Sequence, residues 1–297
     1  MTELATDRRS IDEERFEFGQ NWTRFLSVVD GQRISEAERS LIDMLGQDRL
    51  NGMTLLDIGC GSGLFSLAAV RLGAARVHSF DFDRQSVAAC EELRRRHAPE
   101  AKDWTIEEGS ILDGAYVEQL GRWDVVYAWG VLHHTGDMER ALEHAGELVT
   151  PGGRLFIAIY NDQGWKSHAW RCIKRLCVTL PAWLQGPYAA VVYLPFELRG
   201  AVGSLLRLHP QRYWCRWTQY GRHARGMSHW HDVMDWVGGY PFEVATPERI
   251  FDFYVQRGFT LLRLATKGAS IGCNEYVFLR APLASASLTA GAQAAAP

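Results

Sequence analysis

A chain of 297 residues can hold one large α/β domain with an accessory element, but two independent domains would be a tight fit. At 47% hydrophobic and 23% charged residues it is neither a disordered polymer nor a polytopic membrane protein. A formal charge of −3 lacks the excess of Lys and Arg with which a dedicated nucleic-acid binder contacts phosphates. The six cysteines (Cys60, Cys90, Cys172, Cys177, Cys215, Cys273) form no C-x-x-C pair and show no zinc-finger spacing, so reduced thiols are expected and no metal. Residues 1–15 are polar and charged, unlike the apolar core of a secretory signal, and the expected location is the cytoplasm.

From about Ile11 to Gly46, apolar residues such as Phe25, Leu26, Ile34, Leu41 and Leu45 recur at three-to-four spacing, which predicts two helices broken near Asp30-Gly31. Short apolar runs then alternate with amphipathic stretches, with strands expected at 54–58, 76–80, 103–106, 124–128 and 154–160. That alternation reads as β-α-β-α with a parallel sheet whose strands are buried on both faces. Residues 246–257 read as a helix capped by Thr246, with Pro247 at its first position and Gly258 stopping it. Two strands, 260–265 and 274–280, follow as an antiparallel hairpin. The divisions expected are an N-terminal helical segment 1–52, a core 53–163, an insertion 164–244, a C-terminal helix and hairpin 245–282 completing the core, and an Ala- and Ser-rich disordered tail 283–297.

The strongest local signal is Leu55-Leu56-Asp57-Ile58-Gly59-Cys60-Gly61-Ser62-Gly63, a strand entering a glycine-rich turn before a helix near Leu64. Glycines let the backbone approach a ligand closely. Dinucleotide enzymes use G-x-G-x-x-G to seat a pyrophosphate at the helix N-terminus. Here the spacing is G-x-G-x-G with Asp57 two residues before Gly59, and that acid suits a cationic aminoacyl ligand and repels a pyrophosphate. Asp81, at the end of the second strand, can accept both hydroxyls of a ribose. Phe82 can pack on an adenine, and Asp83 reads as the cap of the next helix. After the third strand, Ser110 and the backbone at Ile111 can meet the adenine edge. The fourth strand ends in Ala128-Trp129-Gly130-Val131-Leu132-His133-His134.

On these residues the chain resembles the broad S-adenosylmethionine (SAM)-binding family of methyltransferase types 11 and 12, and within it the O-methyltransferases of ubiquinone biosynthesis. The likeness covers about Arg33 to Asn161 and resumes more weakly over the C-terminal helix and hairpin. It implies a Rossmann-like class I methyltransferase sheet, parallel strands closed by an antiparallel C-terminal hairpin, with N-terminal helices and a helical lid. It implies SAM as cofactor, held by the glycine loop (Gly59, Gly61, Gly63), Asp81 and Trp129, with Arg33 in the position of an arginine that pairs with the SAM carboxylate. The family's helix after strand four reads approximately Glu-Val-Leu-Glu-His; His134 aligns with its histidine and His133 with its second glutamate. His134 is therefore either a base for a hydroxyl acceptor or a helix histidine supporting the loop, with His133 beside it. The change to His133 removes one carboxylate that a metal would use. Enzymes that methylate base amino nitrogens carry Asn or Asp, then Pro-Pro and an aromatic, at this point; that element is absent.

Residues 164–244 interrupt the alternation and hold seven of the eleven tryptophans. Ten Lys and Arg against Glu197, Asp232, Asp235 and Glu243 leave six net positive charges there and −9 elsewhere. Positions 176–196 contain no charged residue, a span long enough in principle to cross a bilayer. Pro181, Pro187, Pro195 and Gly186 are expected to cut it into pieces, making it a lid over the active site, a face for a dimer partner or a peripheral membrane contact with basic flanks. Each of these favours a small hydrophobic acceptor. His229 and His231 alternate as on one face of a strand, without a third metal ligand at suitable spacing. O-methylation leads; N- or C-methylation, or a SAM-binding module without activity, are the alternatives.

Overall fold

The computed structural model describes residues 16, 18–220, 229–268 and 272–282. Two helices come first, α1 (Phe18–Phe25) and α2 (Gly31–Leu45), separated where Asp30 adopts an extended backbone and its carboxylate accepts the Arg33 N–H as N-cap. The strands are β1 (Thr54–Ile58), β2 (Arg76–Asp81), β3 (Trp104–Glu108), β4 (Trp123–Trp129) and β5 (Val149–Tyr160), then β6 (Phe259–Ala265) and β7 (Cys273–Arg280). They form one sheet in the order β3-β2-β1-β4-β5-β7-β6. The pairs among β1 to β5 are parallel, and β7 inserts antiparallel between β5 and β6.

Period-two burial explains why the strands read as continuous apolar runs. Leu55, Val125 and Tyr127 point to one face, where α1, α2, α3 (Leu64–Arg71) and α4 (Arg84–His97) contribute Phe25, Ile34, Leu41, Leu67 and Leu93. Leu56, Ile58, Val126 and Ala128 point to the other, against α5 (Gly114–Leu120), α6 (Met138–Glu147) and α11 (Pro247–Val255), which bring Val117, Leu142, Ile250 and Tyr254. The result is the Rossmann-like α/β sheet with a C-terminal antiparallel hairpin that the sequence predicts. Its strand order reverses between β1, which runs on to β2, and β4, so the carboxyl ends of β1 and β4 flank the crevice where ligands bind in open α/β sheets.

Among the described residues, four helices lie between β5 and α11: α7 (Trp165–Thr179), α8 (Ala182–Leu206), α9 (Pro210–Thr218) and α10 (His229–Gly238). Three sequence expectations change here. First, α8 runs unbroken through Pro187 and Pro195. A proline removes one helical hydrogen bond and crowds the residue before it, but Gly186 carries no Cβ to clash, and Ala189 and Tyr188 pack against Cys177, Val233 and Val237. Second, His229 to Asp235 is helix, not strand, because Val233, Met234 and Val237 bury at three-to-four spacing. Third, β5 begins at Val149, ahead of the expected 154, paired with Trp123 before a register shift, so Pro151-Gly152-Gly153 lies within the strand. The expectations for 1–15 and for the tail at 283–297 fall outside the described residues.

Only Ala189 of α8 is buried. Trp183 (75% exposed), Val191, Leu194, Leu198, Val202, Leu205 and Leu206 (79%) form a long apolar outer face. Among the described residues this is the one helix long and apolar enough to cross a membrane.

Candidate active site

A cleft of about 2460 Å³ opens over the carboxyl ends of β1, β2 and β4 and runs beneath the lid helices. Ligand pockets for one small molecule usually measure some 300–1,000 Å³, so this space accommodates two ligands side by side.

At one end stands the glycine loop. Gly59 and Cys60 donate their N–H groups to the Phe80 carbonyl (2.8 and 3.0 Å), fastening the loop to β2. Gly59 (φ +68°) and Gly61 (φ +53°) take left-handed conformations, and a Cβ at either would lie 2.5 Å from Val131 Cγ1 or 2.7 Å from the Trp22 indole. Gly63, also left-handed, caps α3. Asp81 locks the arrangement: Oδ2 accepts the Gly61 N–H (2.9 Å) and Oδ1 the Asp83 N–H (3.0 Å). Asp83 caps α4 through the Gln85 N–H, as its position predicts, and also accepts the Gly19 N–H (2.8 Å) at the start of α1.

Asp57 is buried beneath this loop, accepting the Ser66 hydroxyl at 2.5 Å in a chain that continues through Ser79 to the Trp104 indole N–H. Burial raises its pKa to about 7; the Ser66 hydrogen bond lowers it and the Asp81 charge raises it by less. Phe82, half exposed, and Trp129 line the cleft. Ser110 and Ile111 also line it, with other bonds already in place: the Ser110 hydroxyl accepts the Leu112 N–H (3.2 Å), and the Ile111 carbonyl accepts the His144 Nδ1–H (2.6 Å). Arg33 is the residue the structure does not bring to this group. It lies outside the cleft lining, and its Nε donates to the Val28 carbonyl (2.6 Å) at the α1–α2 junction.

At the other end, His134 lines the cleft on a 3₁₀ turn after β4, with Nδ1 2.6 Å from the Pro241 carbonyl. A carbonyl can only accept, so the proton sits on Nδ1 and Nε2 is the basic nitrogen. His133 differs. It is fully buried, its ring tilted against those of His134 (4.4 Å between centroids) and Tyr160 (4.2 Å), and burial, His134 and Lys174 hold its pKa well below the imidazole range. Burial disfavours the charged form of His133, so of the two candidate catalytic histidines His134 suits the role of base better.

Several lining groups carry no motif in the sequence. Trp22 covers Gly61, and Asn21 Nδ2 donates to Asp235 Oδ1 (2.8 Å) and to the His231 carbonyl (2.9 Å) of α10. Phe16 donates its N–H to the Tyr240 carbonyl (3.1 Å), and the Phe18 ring lies 5.2 Å from His134. One short strap thus touches loop, histidine and lid. Lys174 is buried with Nζ donating to the Trp236 carbonyl and lying over the Tyr160 and Phe242 rings; burial lowers its pKa to about 7. Burial pushes the Asp235 carboxyl up. The lid acids turn inward: Glu197 accepts from Tyr213 and Trp217, and Asp232 from Tyr220. Among the described residues no three His, Cys, Asp or Glu side chains are grouped to hold a metal ion.

The sheet order, the G-x-G-x-G loop closed by an acid from β2 and the cleft at the strand ends define a class I methyltransferase fold, a class that uses SAM as cofactor. Residues 56–155, about a third of the chain, match the family described as methyltransferase domain. The chain is similar to ubiquinone biosynthesis O-methyltransferases: 32% identical over 139 residues to that of Caulobacter sp. (strain K31), covering 46% of this chain and 51% of the relative. The corresponding protein of Methylobacterium sp. (strain 4-46) is 36% identical over 125 residues, 40% of this chain and 45% of that one. The chain thus spans about half the length of the curated relatives it matches. Among solved structures, magnesium protoporphyrin IX methyltransferase from Synechocystis PCC 6803 with bound SAH has the same fold at TM-score 0.52 and 15% identity, over 93% of this chain and 100% of that one.

Proposed function

We propose that the protein is a SAM-dependent O-methyltransferase of a small lipophilic acceptor in the cytoplasm. The observation that carries this reading is the single cleft with a cofactor loop at one end and, at the other, a histidine whose Nδ1 is fixed by a backbone carbonyl. SAM fits the first end: Asp81 and Phe82 suit the adenosyl group, and Asp57 beneath the loop suits the positive aminoacyl end. When bound, SAM supplies an electrophilic methyl group on a sulfonium. His134 Nε2 takes the proton of an acceptor hydroxyl, Phe18 and Tyr160 wall the reacting end, and the lid helices exclude water. The names of the curated relatives support oxygen as the methylated atom.

The test is transfer of labelled methyl from SAM into hydrophobic extract fractions. His134→Gln should lower kcat about a hundredfold or more with KM for SAM unchanged, and the loss should shrink at high pH, where hydroxyls ionise unaided. Equal kcat in the variant would reduce His134 to a support for the loop.

A second reading concerns the lid's outer face. The exposed Trp183, Val191, Leu194 and Leu206, with Arg199 and Arg207 on or just after the same helix, suit the interface of an anionic membrane from which a lipophilic acceptor would be drawn. Flotation should recover the protein with phosphatidylglycerol vesicles, less so in high salt, and Trp183→Glu with Leu194→Glu should abolish recovery. Recovery unaffected by the double change would assign the face to something else.

A further inference from the structure

Where β5 hands the chain to the lid, Gln163 is pinned by its backbone, whose N–H donates to Ser167 Oγ (2.8 Å), while Asp162 before it donates to the Ala245 carbonyl (3.1 Å). Its side chain lines the cleft, and both carboxamide atoms, Oε1 and Nε2, are buried without a hydrogen-bond partner. His133, whose ring lies 4.2 Å from that of Tyr160, also lines the cleft, and neither of its ring nitrogens has a hydrogen-bond partner. Leaving a buried amide or imidazole unsatisfied is costly, so such a group calls for a reason, and a ligand that completes it is one. The charged neighbours are engaged elsewhere, Lys174 with the Trp236 carbonyl and Asp235 with Asn21. What this corner offers is therefore a carboxamide that can both donate and accept, walled by Tyr160, Trp170 and Trp236.

We propose that Gln163 is the specificity-determining residue for the acceptor: its carboxamide receives a polar group that both donates and accepts, carried on an aromatic or otherwise flat apolar body. The assignment rests on the reading of this cleft as the acceptor site of a methyltransferase.

The test uses the full-length protein saturated with S-adenosylhomocysteine and two probes, para-butylphenol and para-butylanisole, which differ by one methyl and by loss of the hydroxyl donor. Ligand-observed NMR should show the wild type favouring the phenol about tenfold, the discrimination expected of one buried hydrogen bond. Gln163→Leu, which removes the unpaired amide, should bind S-adenosylhomocysteine as before, melt at a higher temperature and discriminate less than twofold. Discrimination retained in Gln163→Leu, loss of S-adenosylhomocysteine binding in that variant, or failure of the wild type to prefer the phenol would each overturn the assignment. A wild type that does not bind S-adenosylhomocysteine would instead overturn the methyltransferase reading beneath it.

Discussion

Asp81→Ala should weaken SAM and S-adenosylhomocysteine binding by about two orders of magnitude, the effect of losing hydrogen bonds to a charged acceptor at roughly 1.5–3 kcal/mol each. The loss has two sources. Asp81 holds the Gly61 and Asp83 N–H groups, so its removal loosens the loop before any ligand arrives. It also removes the acceptor proposed for the ribose. Asp81→Asn separates the two, because the amide retains an oxygen for one backbone N–H but places a donor against the other; its affinity should fall between those of wild type and Ala. Calorimetric titration of the three proteins with SAM, S-adenosylhomocysteine and NAD decides the matter. Affinities within threefold of each other, or NAD bound in place of SAM, would refute the cofactor site.

The second large effect is a proton linked to the cofactor through Asp57. Burial raises this carboxyl to about 7 in the folded protein from its ordinary 3.8. As pH rises from about 4 to 7 the unfolded chain releases this proton and the folded chain keeps it. Stability is therefore lost across that window, and above about 7 the full penalty, roughly 4 kcal/mol at 1.36 kcal/mol per unit, is in place. Asp57→Asn removes the ionisation and should raise the melting temperature at pH 8 while changing it little at pH 5. A cationic ligand reverses the balance, since it favours the carboxylate. SAM affinity of the wild type should then climb between pH 6 and 8, with proton release visible as a dependence of the binding enthalpy on the buffer's ionisation enthalpy. Asp57→Asn should abolish both the climb and the release. Affinity flat with pH in the wild type would remove Asp57 from the ligand's electrostatics.

The sheet was legible because each of its strands is a local object. Leu55 and Leu56, or Val125 and Val126, are buried on opposite faces, and that double burial appears in the sequence as an uninterrupted apolar run. The loop was legible for the same reason, since Asp57 and three glycines fall within seven positions. Misreadings arose where distant residues decide the outcome. The prolines of α8 suggest breaks until Cys177 and Val233 are placed against Ala189. The alternating His229 and His231 suggest a strand until Val237 is buried. Arg33 matches a cofactor arginine in position, yet the Val28 carbonyl engages it. Asn21 finds Asp235 across 214 residues, and no local pattern announces such a pair. Gln163 carries no motif at all; only the absence of partners for its buried amide singles it out.

The strap from Phe16 to Phe25 has a kinetic consequence. Its indole lies on the loop at Gly61, its first helical turn is tied to Asp83, and its Asn21 is tied to the lid helix. A ligand reaching Gly61 from beneath Trp22 pulls on the same eight-residue helix that fastens the lid, so the two ends of the cleft share one latch. Any movement of that helix shifts loop and lid together, so the two ends of the cleft open as one.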